Sequence, residues 1–105
     1  MQLHDLDRAR GDRVAAGRLY EEFLRTGSMS AGIYELPAGA EDPQRPHRQD
    51  ELYHVVTGRG EFECDGHRQA VGPGTVIFVE AGAPHRFVEI AEDLSVLVVF
   101  APAEG

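Results

Sequence analysis

Three residues have side chains and a spacing that suit a metal ion: His47, Glu51 and His85. His47 and Glu51 are four positions apart, a separation that puts both side chains on one face of a β-strand. His85 follows Pro84 at the start of another strand-like run. If a small barrel pairs the two runs, two imidazoles and one carboxylate meet on its inner wall. Such a set leaves open positions on Fe(II), Mn(II) or Zn(II).

The same region also admits a helical interpretation. His47, Glu51 and His54 have the spacing of one helix face, and Pro46 could begin such a helix. Residues 53–58, however, are aromatic and β-branched without a cationic last turn. This composition favours a strand, in which His54 faces away from Glu51.

Three further polar residues near the predicted site form our predicted substrate-binding group, and each has a plainer alternative. Arg45 could clamp an anionic substrate group, or lie in water as an ordinary loop residue. Gln49 shares the face of Glu51 and points inward or lies at a strand edge. Tyr53, on that same face, hydrogen-bonds a substrate or packs in the core.

Short runs rich in Val, Ile, Phe and Tyr follow one another along the chain after its first residues. Turn residues separate them every eight to twelve positions, about the spacing of an antiparallel all-β sandwich or barrel. The predicted strands lie in Arg18–Arg25, Ser30–Leu36, Glu51–Thr57, Glu61–Cys64, Thr75–Glu80, Pro84–Ile90 and Leu94–Phe100.

Glycine and proline predict where these strands reverse. Gly58-Arg59-Gly60 is expected to be a sharp turn between two of them. Asp65-Gly66 is a strong signal for a tight hairpin, and Pro73-Gly74 predicts another reversal. Consecutive hairpins of this kind favour a closed sheet, which leaves no unpaired edge.

The two ends of the chain are predicted to lie outside the barrel. Residues 1–16 are a polar lead-in with a short helix over Asp5–Arg10, ended by Gly11. Ala101–Gly105 is expected to be a frayed tail. The chain is therefore divided into the lead-in and a single barrel domain at 17–105.

Length, charge and cysteine content exclude several classes of protein. The 105 residues suffice for one domain. A net charge of −8 argues against nucleic acid and anionic membranes as partners. The single cysteine, Cys64, cannot form an internal disulfide, and the polar start does not resemble a signal peptide. We therefore expect a cytoplasmic protein, with Cys64 as a buried and unreactive thiol.

Two gapped motifs resemble those of the cupins, small jelly-roll barrels with one buried metal. The first is Gly, His, His, Glu and Gly at fixed spacing, and the second is Gly, Pro, Gly, His and Asn. The matching positions are Gly39, His47, Glu51, Gly58, Gly74, Gly82 and His85, and the departures are Arg45 for His, Glu80 for Pro and Glu89 for Asn. The resemblance covers about residues 30–101. It implies an all-β double-stranded β-helix, the cupin jelly roll, with a short N-terminal extension.

The resemblance also implies a divalent metal ion (Fe, Mn, Zn or Ni) bound by His47, Glu51 and His85. The first histidine ligand of the family is replaced by Arg45, which stays protonated and cannot bind a metal. Three outcomes stay open: more water on the metal, a carbonyl oxygen from Gln44, or a metal-free pocket that binds a small molecule. A subgroup of small cupins has Gln before the His and Asp-Glu after it, which favours Gln44 as a ligand.

The expected function is a metal-dependent protein acting on a small organic molecule, as an oxygenase or an isomerase. The metal would be a Lewis acid that orients a chelating substrate. The alternative is a non-catalytic binding or sensing module, with or without metal.

The run Leu94–Phe100 is apolar on both faces, which predicts burial on both sides. We therefore expect a homodimer, formed by sheet packing or by exchange of the strand around Leu19–Leu24.

Overall fold

The computed structural model describes residues 1–104 as one helix and six strands. They are α1 (Leu6–Ala16), β1 (Tyr20–Arg25), β2 (Ser30–Leu36), β3 (Asp50–Cys64), β4 (His67–Val71), β5 (Val76–Val79) and β6 (His85–Ala101). All pairs are antiparallel, in the order β1-β2-β6-β3-β4, with β5 paired to β3. The all-β prediction is confirmed. Within residues 1–104, no helix has the length and apolar character needed to cross a membrane.

Helix α1 is longer than the predicted helix over Asp5–Arg10. The Asp5 side chain caps its start by accepting from two backbone N–H groups of the first turn. Gly17, with a left-handed φ of 68°, ends it. The prediction that Gly11 ends the helix was wrong, because a glycine inside a helix costs only about 1 kcal/mol, and both caps lie beyond it.

An ion-pair cluster attaches the helix to the sheet. Arg10 Nε and Arg13 Nε lie 2.7 and 2.8 Å from the two carboxylate oxygens of Glu35 on β2. Burial alone would raise the pKa of Glu35, but hydrogen-bond donors from Ser95 and the two guanidinium groups hold it below its usual value. The division of the chain into 1–16 and 17–105 stays a prediction.

The two longest strands, β3 and β6, each join two of the predicted runs. The turn predicted at Gly58-Arg59-Gly60 was therefore wrong: this segment holds register shifts in the pairing of β3 with β6. Gly58 has a φ of 96°, and a Cβ atom there would overlap the backbone of Asp93. Glycine is needed because the two backbones meet closely at a bulge.

The register shifts bend the β3–β6 ladder back on itself. Glu51 pairs with Phe100 near one end of the ladder, and Cys64 pairs with His85 at the other end. On straight strands the span from Glu51 to Cys64 would separate the two ends by about 40 Å. Yet Glu51 Oε1 and His85 Nε2 lie 3.0 Å apart. The bend closes the barrel and brings together side chains from both ends of the ladder.

The inward positions of the strands form an apolar core. On β3, Glu51, Tyr53 and Val55 are buried, while Leu52 and His54 are exposed. This alternation confirms the strand interpretation and the outward position of His54. The largest fully buried apolar side chains are Tyr53, Phe87, Ile33, Leu36, Val55, Val96 and Val98.

Two of the predicted reversals are confirmed. Asp65 and Gly66, with φ values of 50° and 81°, form the two-residue turn between β3 and β4. Pro73 and Gly74 form the turn before β5.

Cys64, expected to be buried, is only partly buried beside the hairpin. Burial together with the neighbouring Asp65 raises the pKa of its thiol.

Candidate metal centre

Two strands and one loop direct polar side chains into the same end of the barrel. Glu51 and Tyr53 are inward positions of β3, and His85 begins β6. Gln44 and His47 lie on the loop between β2 and β3, where two prolines favour an extended backbone. The closed ladder places the strand residues opposite this loop.

The structure brings His47, Glu51 and His85 together, with one nitrogen or oxygen atom of each lying within 4.8 Å of the others. Glu51 Oε1 lies 3.0 Å from His85 Nε2, and Glu51 Oε2 lies 4.0 Å from His47 Nε2. Glu51 is 2% exposed and His85 7%. The three predicted ligand residues thus form one compact cluster that is largely shielded from water.

Both imidazole rings keep Nε2 toward the cluster because Nδ1 has a partner elsewhere. His85 Nδ1 lies 2.8 Å from the carbonyl oxygen of Ala83, which can only accept. His47 Nδ1 lies 2.7 Å from Glu104 Oε2. The hydrogen-bond network therefore assigns the proton of each neutral ring to Nδ1. This orientation leaves the Nε2 lone pairs for a metal ion.

Glu51 carries an unpaired acceptor inside the protein. Its Oε1 atom has no hydrogen-bond partner among residues 1–104, although His85 Nε2 is 3.0 Å away. The same nitrogen also lies 3.1 Å from the Tyr53 hydroxyl. A buried carboxylate oxygen without a partner is unfavourable. A cation between Glu51 and the two imidazoles would satisfy it, so the donor set fits a divalent metal ion.

The electrostatics of the cluster attract positive charge. Burial alone would lower the pKa of His85, but the Glu51 carboxylate and the Ala83 carbonyl raise it above its usual value. A proton on His85 and a metal ion at its Nε2 are therefore alternatives.

Gln44 presents its carbonyl oxygen to the cluster. Its amide nitrogen donates to Asp42 Oδ2, which fixes the orientation of the amide. Its Oε1 atom accepts from the Tyr53 hydroxyl at 2.8 Å and lies 3.4 Å from His47 Nε2. Asp42 is itself buried and accepts from the Tyr34 hydroxyl at 2.5 Å. Gln44 Oε1 thus lies at the edge of the cluster, beside His47 Nε2 and the Tyr53 hydroxyl.

The sequence did not predict that Asp42 and Tyr34 support the site. Nothing in the Pro-rich loop distinguishes Asp42 from the adjacent exposed Glu41, because its partners come from other elements of the fold. The proximity of Asp42 to Gln44, two positions away, was the only available signal.

A cavity of about 260 Å³ adjoins the cluster. This volume lies near the lower limit of small-molecule sites. Tyr20 contributes a buried hydroxyl that has no hydrogen-bond partner among residues 1–104. The lining residues are Leu19, Tyr20, Tyr34, Pro43, Gln44, His47, Glu51, Tyr53, Val98, Phe100 and Glu104.

Of the three predicted substrate-binding residues, only Tyr53 lines this cavity. Arg45 is exposed, because the extended loop turns it outward while Gln44 faces inward. Gln49 is half-buried on a bend just before β3, so it does not continue the inward face of Glu51.

The prediction that the tail is frayed was wrong for its described part. Ala101 belongs to β6, and Glu104 is held at three points. Its N–H donates to Ser30 Oγ at 3.0 Å, its carbonyl oxygen accepts from Arg25, and its side chain contacts His47. No local pattern could indicate this, because Ser30 and Arg25 lie 74 and 79 positions away in the sequence.

The sequence model of the Cupin domain family matches residues 32–100, and the chain therefore belongs to the cupins. An uncharacterized protein of Streptomyces coelicolor is 45% identical to it over 105 residues, the full length of both chains. A dimethylsulfoniopropionate lyase of Ruegeria pomeroyi is 36% identical over 59 residues. That match covers 55% of this chain but only 29% of the lyase.

Solved structures confirm the double-stranded β-helix. KdgF from a Halomonas species has a TM-score of 0.71 at 24% identity, with 79% of this chain and 76% of that chain covered. The Ruegeria pomeroyi lyase has a TM-score of 0.71 at 22% identity, covering 96% and 66%. An RmlC-like cupin of Shewanella frigidimarina has a TM-score of 0.72 at 23% identity, with 80% of this chain and 75% of that chain covered. At these identities the likeness establishes the fold.

Proposed function

We propose that this cupin binds one divalent metal ion (Fe, Mn, Zn or Ni) through His47, Glu51 and His85. The observation that carries the proposal is the buried Oε1 atom of Glu51, which lacks a hydrogen-bond partner and faces two imidazoles. Imidazole nitrogens mixed with carboxylate oxygens suit these metals. Three protein ligands leave positions open for a substrate.

Gln44 takes the place of the family's first histidine in this proposal. Its Oε1 atom lies 3.4 Å from His47 Nε2, and Asp42 holds the amide nitrogen on the far side. Arg45, at the histidine position itself, is exposed and does not line the cavity. A neutral amide oxygen would replace a neutral imidazole without changing the net charge of the ligands.

The metal site is tested by metal analysis of protein purified without chelators. The His47→Ala, His85→Ala double variant is expected to lose the bound metal, because both imidazole ligands are gone. His54→Ala is the matched control, since His54 lies on β3 but is exposed. Full metal content in the double variant would overturn the assignment.

We propose further that the protein is an enzyme for a small organic molecule with a carboxylate or carbonyl oxygen. When bound, the metal ion supplies a Lewis acid that polarises such an oxygen. Tyr53 and Tyr20 line the same cavity. Burial, aided by nearby carboxylates, raises the pKa of both phenols. Both therefore keep their protons at neutral pH. The Tyr20 hydroxyl, which has no hydrogen-bond partner among residues 1–104, can donate to the substrate directly, and the Tyr53 hydroxyl can do so by leaving Gln44 Oε1.

Lyase or isomerase chemistry uses the polarisation of a substrate oxygen. The similarity to a dimethylsulfoniopropionate lyase over 59 residues supports this class. A panel of small carboxylates, hydroxy acids and diketones, offered to the metal-loaded protein, tests it. Turnover that falls by about tenfold or more in Tyr53→Phe would support the enzyme and the role of the hydroxyl.

One observation favours a second function, a non-catalytic binding or sensing module. Both carboxylates among the described residues of the cavity are committed, Glu51 to the proposed metal and Glu104 to His47. Neither is left as a general base. Saturable binding of a panel compound in calorimetry, without conversion of that compound, would establish the module over the enzyme.

We also propose that two copies pair through the outer face of β3 and β5. Leu52 and Phe78 are neighbours in the register of these strands and are 42% and 60% exposed, and Val76 is 61% exposed. Apolar surface of this kind on a sheet marks an interaction site. Sedimentation that shows only monomer at micromolar concentration would overturn the proposal.

A further inference from the structure

We propose that Glu104 is a positioning residue that orients His47 for the metal ion, a role that rests on the metal site proposed above. Glu104 Oε2 lies 2.7 Å from His47 Nδ1. A carboxylate in this position accepts the Nδ1 proton, fixes the ring tautomer and makes the Nε2 lone pair a stronger donor. Glu104 lies three positions after the end of the last strand, β6.

His47 needs such a partner more than His85 does. His85 begins a strand, and the carbonyl oxygen of Ala83 fixes its Nδ1 atom. His47 lies on a loop, where its ring packs edge-on against Phe100 at a centroid distance of 4.9 Å. An apolar contact does not distinguish one ring nitrogen from the other. The Glu104 carboxylate does, because only the protonated nitrogen can donate to it.

Glu104 is itself held in place from both sides. Its N–H donates to Ser30 Oγ, an atom of a fully buried residue, at 3.0 Å. Its carbonyl oxygen accepts from Arg25, and Arg25 is fixed by two hydrogen bonds to Glu22 at 3.0 and 2.8 Å. These contacts tie the tail to β1 and β2, so the carboxylate reaches His47 from a fixed backbone position.

The charge of the site agrees with this role. Glu51 within the cluster and Glu104 behind His47 supply two negative charges, and the two imidazoles are neutral as ligands. With the buried Asp42 carboxylate behind Gln44, the metal-free site is negative overall, which favours binding of a divalent ion. Glu104 also lines the cavity beside Leu19 and Tyr20, so the residue that orients a ligand is part of the wall as well.

The test compares Glu104→Ala, Glu104→Gln and the control Glu92→Ala, which removes an exposed carboxylate from β6. Co²⁺ alone is the probe, titrated by its visible absorption. Glu104→Ala is expected to weaken Co²⁺ binding by about 10- to 100-fold. Glu104→Gln recovers part of the loss, because its carbonyl oxygen can still accept from Nδ1. Glu92→Ala binds as the wild type does.

Nitrogen NMR of the histidine rings in metal-free protein gives an independent readout. The wild type is expected to hold neutral His47 with its proton on Nδ1, and Glu104→Ala is expected to shift the population toward the other tautomer. An unchanged tautomer, or unchanged Co²⁺ affinity in Glu104→Ala, would overturn the positioning role. Wild-type protein that binds no Co²⁺ would overturn the proposed function instead, and the tautomer would still decide whether Glu104 orients His47.

Discussion

Glu35 and Glu51 are both strand glutamates with little exposure, but their surroundings differ. The side chain of Glu35 is 13% exposed, and each of its oxygens is paired with an arginine. The side chain of Glu51 is 2% exposed and faces two histidines, with one oxygen that has no hydrogen-bond partner among the described residues. Both oxygens of Glu35 have partners within the fold, whereas Glu51 keeps one oxygen without a partner.

The difference separates a structural carboxylate from a candidate functional one. Glu35 fastens helix α1 to the sheet, and its guanidinium partners lower its pKa. Glu51 contributes unfavourably to the metal-free protein while His85 is neutral, because its buried acceptor has lost its water and gained no donor. Such a cost is typical of groups retained for binding or catalysis.

Glu51→Gln is expected to have the largest effect. The amide removes the negative charge that attracts the metal, so metal binding should weaken by about 100-fold, or nearly 3 kcal/mol. In excess chelator at alkaline pH, where His85 is neutral, the same variant should be more stable than the wild type by about 1 kcal/mol or more, since a buried carboxylate with an unpaired oxygen is gone. Metal analysis and urea unfolding measure the two effects. Unchanged metal content would remove the contrast between the two glutamates.

Glu35→Gln should behave in the opposite way. Loss of the charge weakens two hydrogen bonds to arginine, and the free energy of unfolding should fall by about 2 kcal/mol. Metal affinity should stay as in the wild type, because Glu35 does not line the metal cavity. Urea unfolding with and without metal tests both statements. A loss of metal binding here would mean that the helix attachment and the site are coupled.

Gln44→Ala tests whether the cluster around Glu51 includes a fourth ligand. Removal of a neutral fourth ligand should weaken metal binding by about tenfold, equal to about 1.4 kcal/mol. Gln69→Ala is the matched control, because Gln69 is exposed on β4. Equal affinities of the two variants in a metal titration would exclude Gln44 as a ligand.

The smallest effect is the pH dependence of the Glu35 cluster. Its pKa is lower in the folded protein than in the unfolded chain. The stabilisation is therefore complete above the unfolded value, about 4.3 for glutamate, and is lost as the pH falls through the folded value. The stability difference between wild type and Glu35→Gln should be constant near neutral pH and shrink below about pH 4. A difference that grows in acid would contradict this sign.

Local patterns were sufficient for the strand character of most of the chain and for the inward and outward faces of β3. The predicted run Ser30–Leu36 has the bounds of β2, and alternation placed Glu51 inward and His54 outward. The cupin motifs related His85 to Glu51 across the chain. The faces of the strands depend on side-chain periodicity, which the sequence carries directly, whereas the relation of His85 to Glu51 came from the family resemblance.

Long-range contacts account for what was missed. A glycine such as Gly58 is expected both in a turn and in a β-bulge. Only the close approach of the Asp93 backbone decides between the two. Asp42 and Glu104 acquire their roles from residues on distant elements. Charged residues in a loop or a tail are ordinarily solvated, so local reasoning treats them as surface.

The placement of Glu51 and His85 at opposite ends of the β3–β6 ladder links the metal site to the order of folding events. When only part of the ladder has formed, either one of these residues is in place or the two lie far apart. A metal ion therefore gains both ligands only after the strands have bent and the barrel has closed. Contacts between protein and ligand that are absent from the folding transition state slow unfolding without speeding folding. Added metal should therefore lengthen the lifetime of the native state and leave the folding rate nearly unchanged.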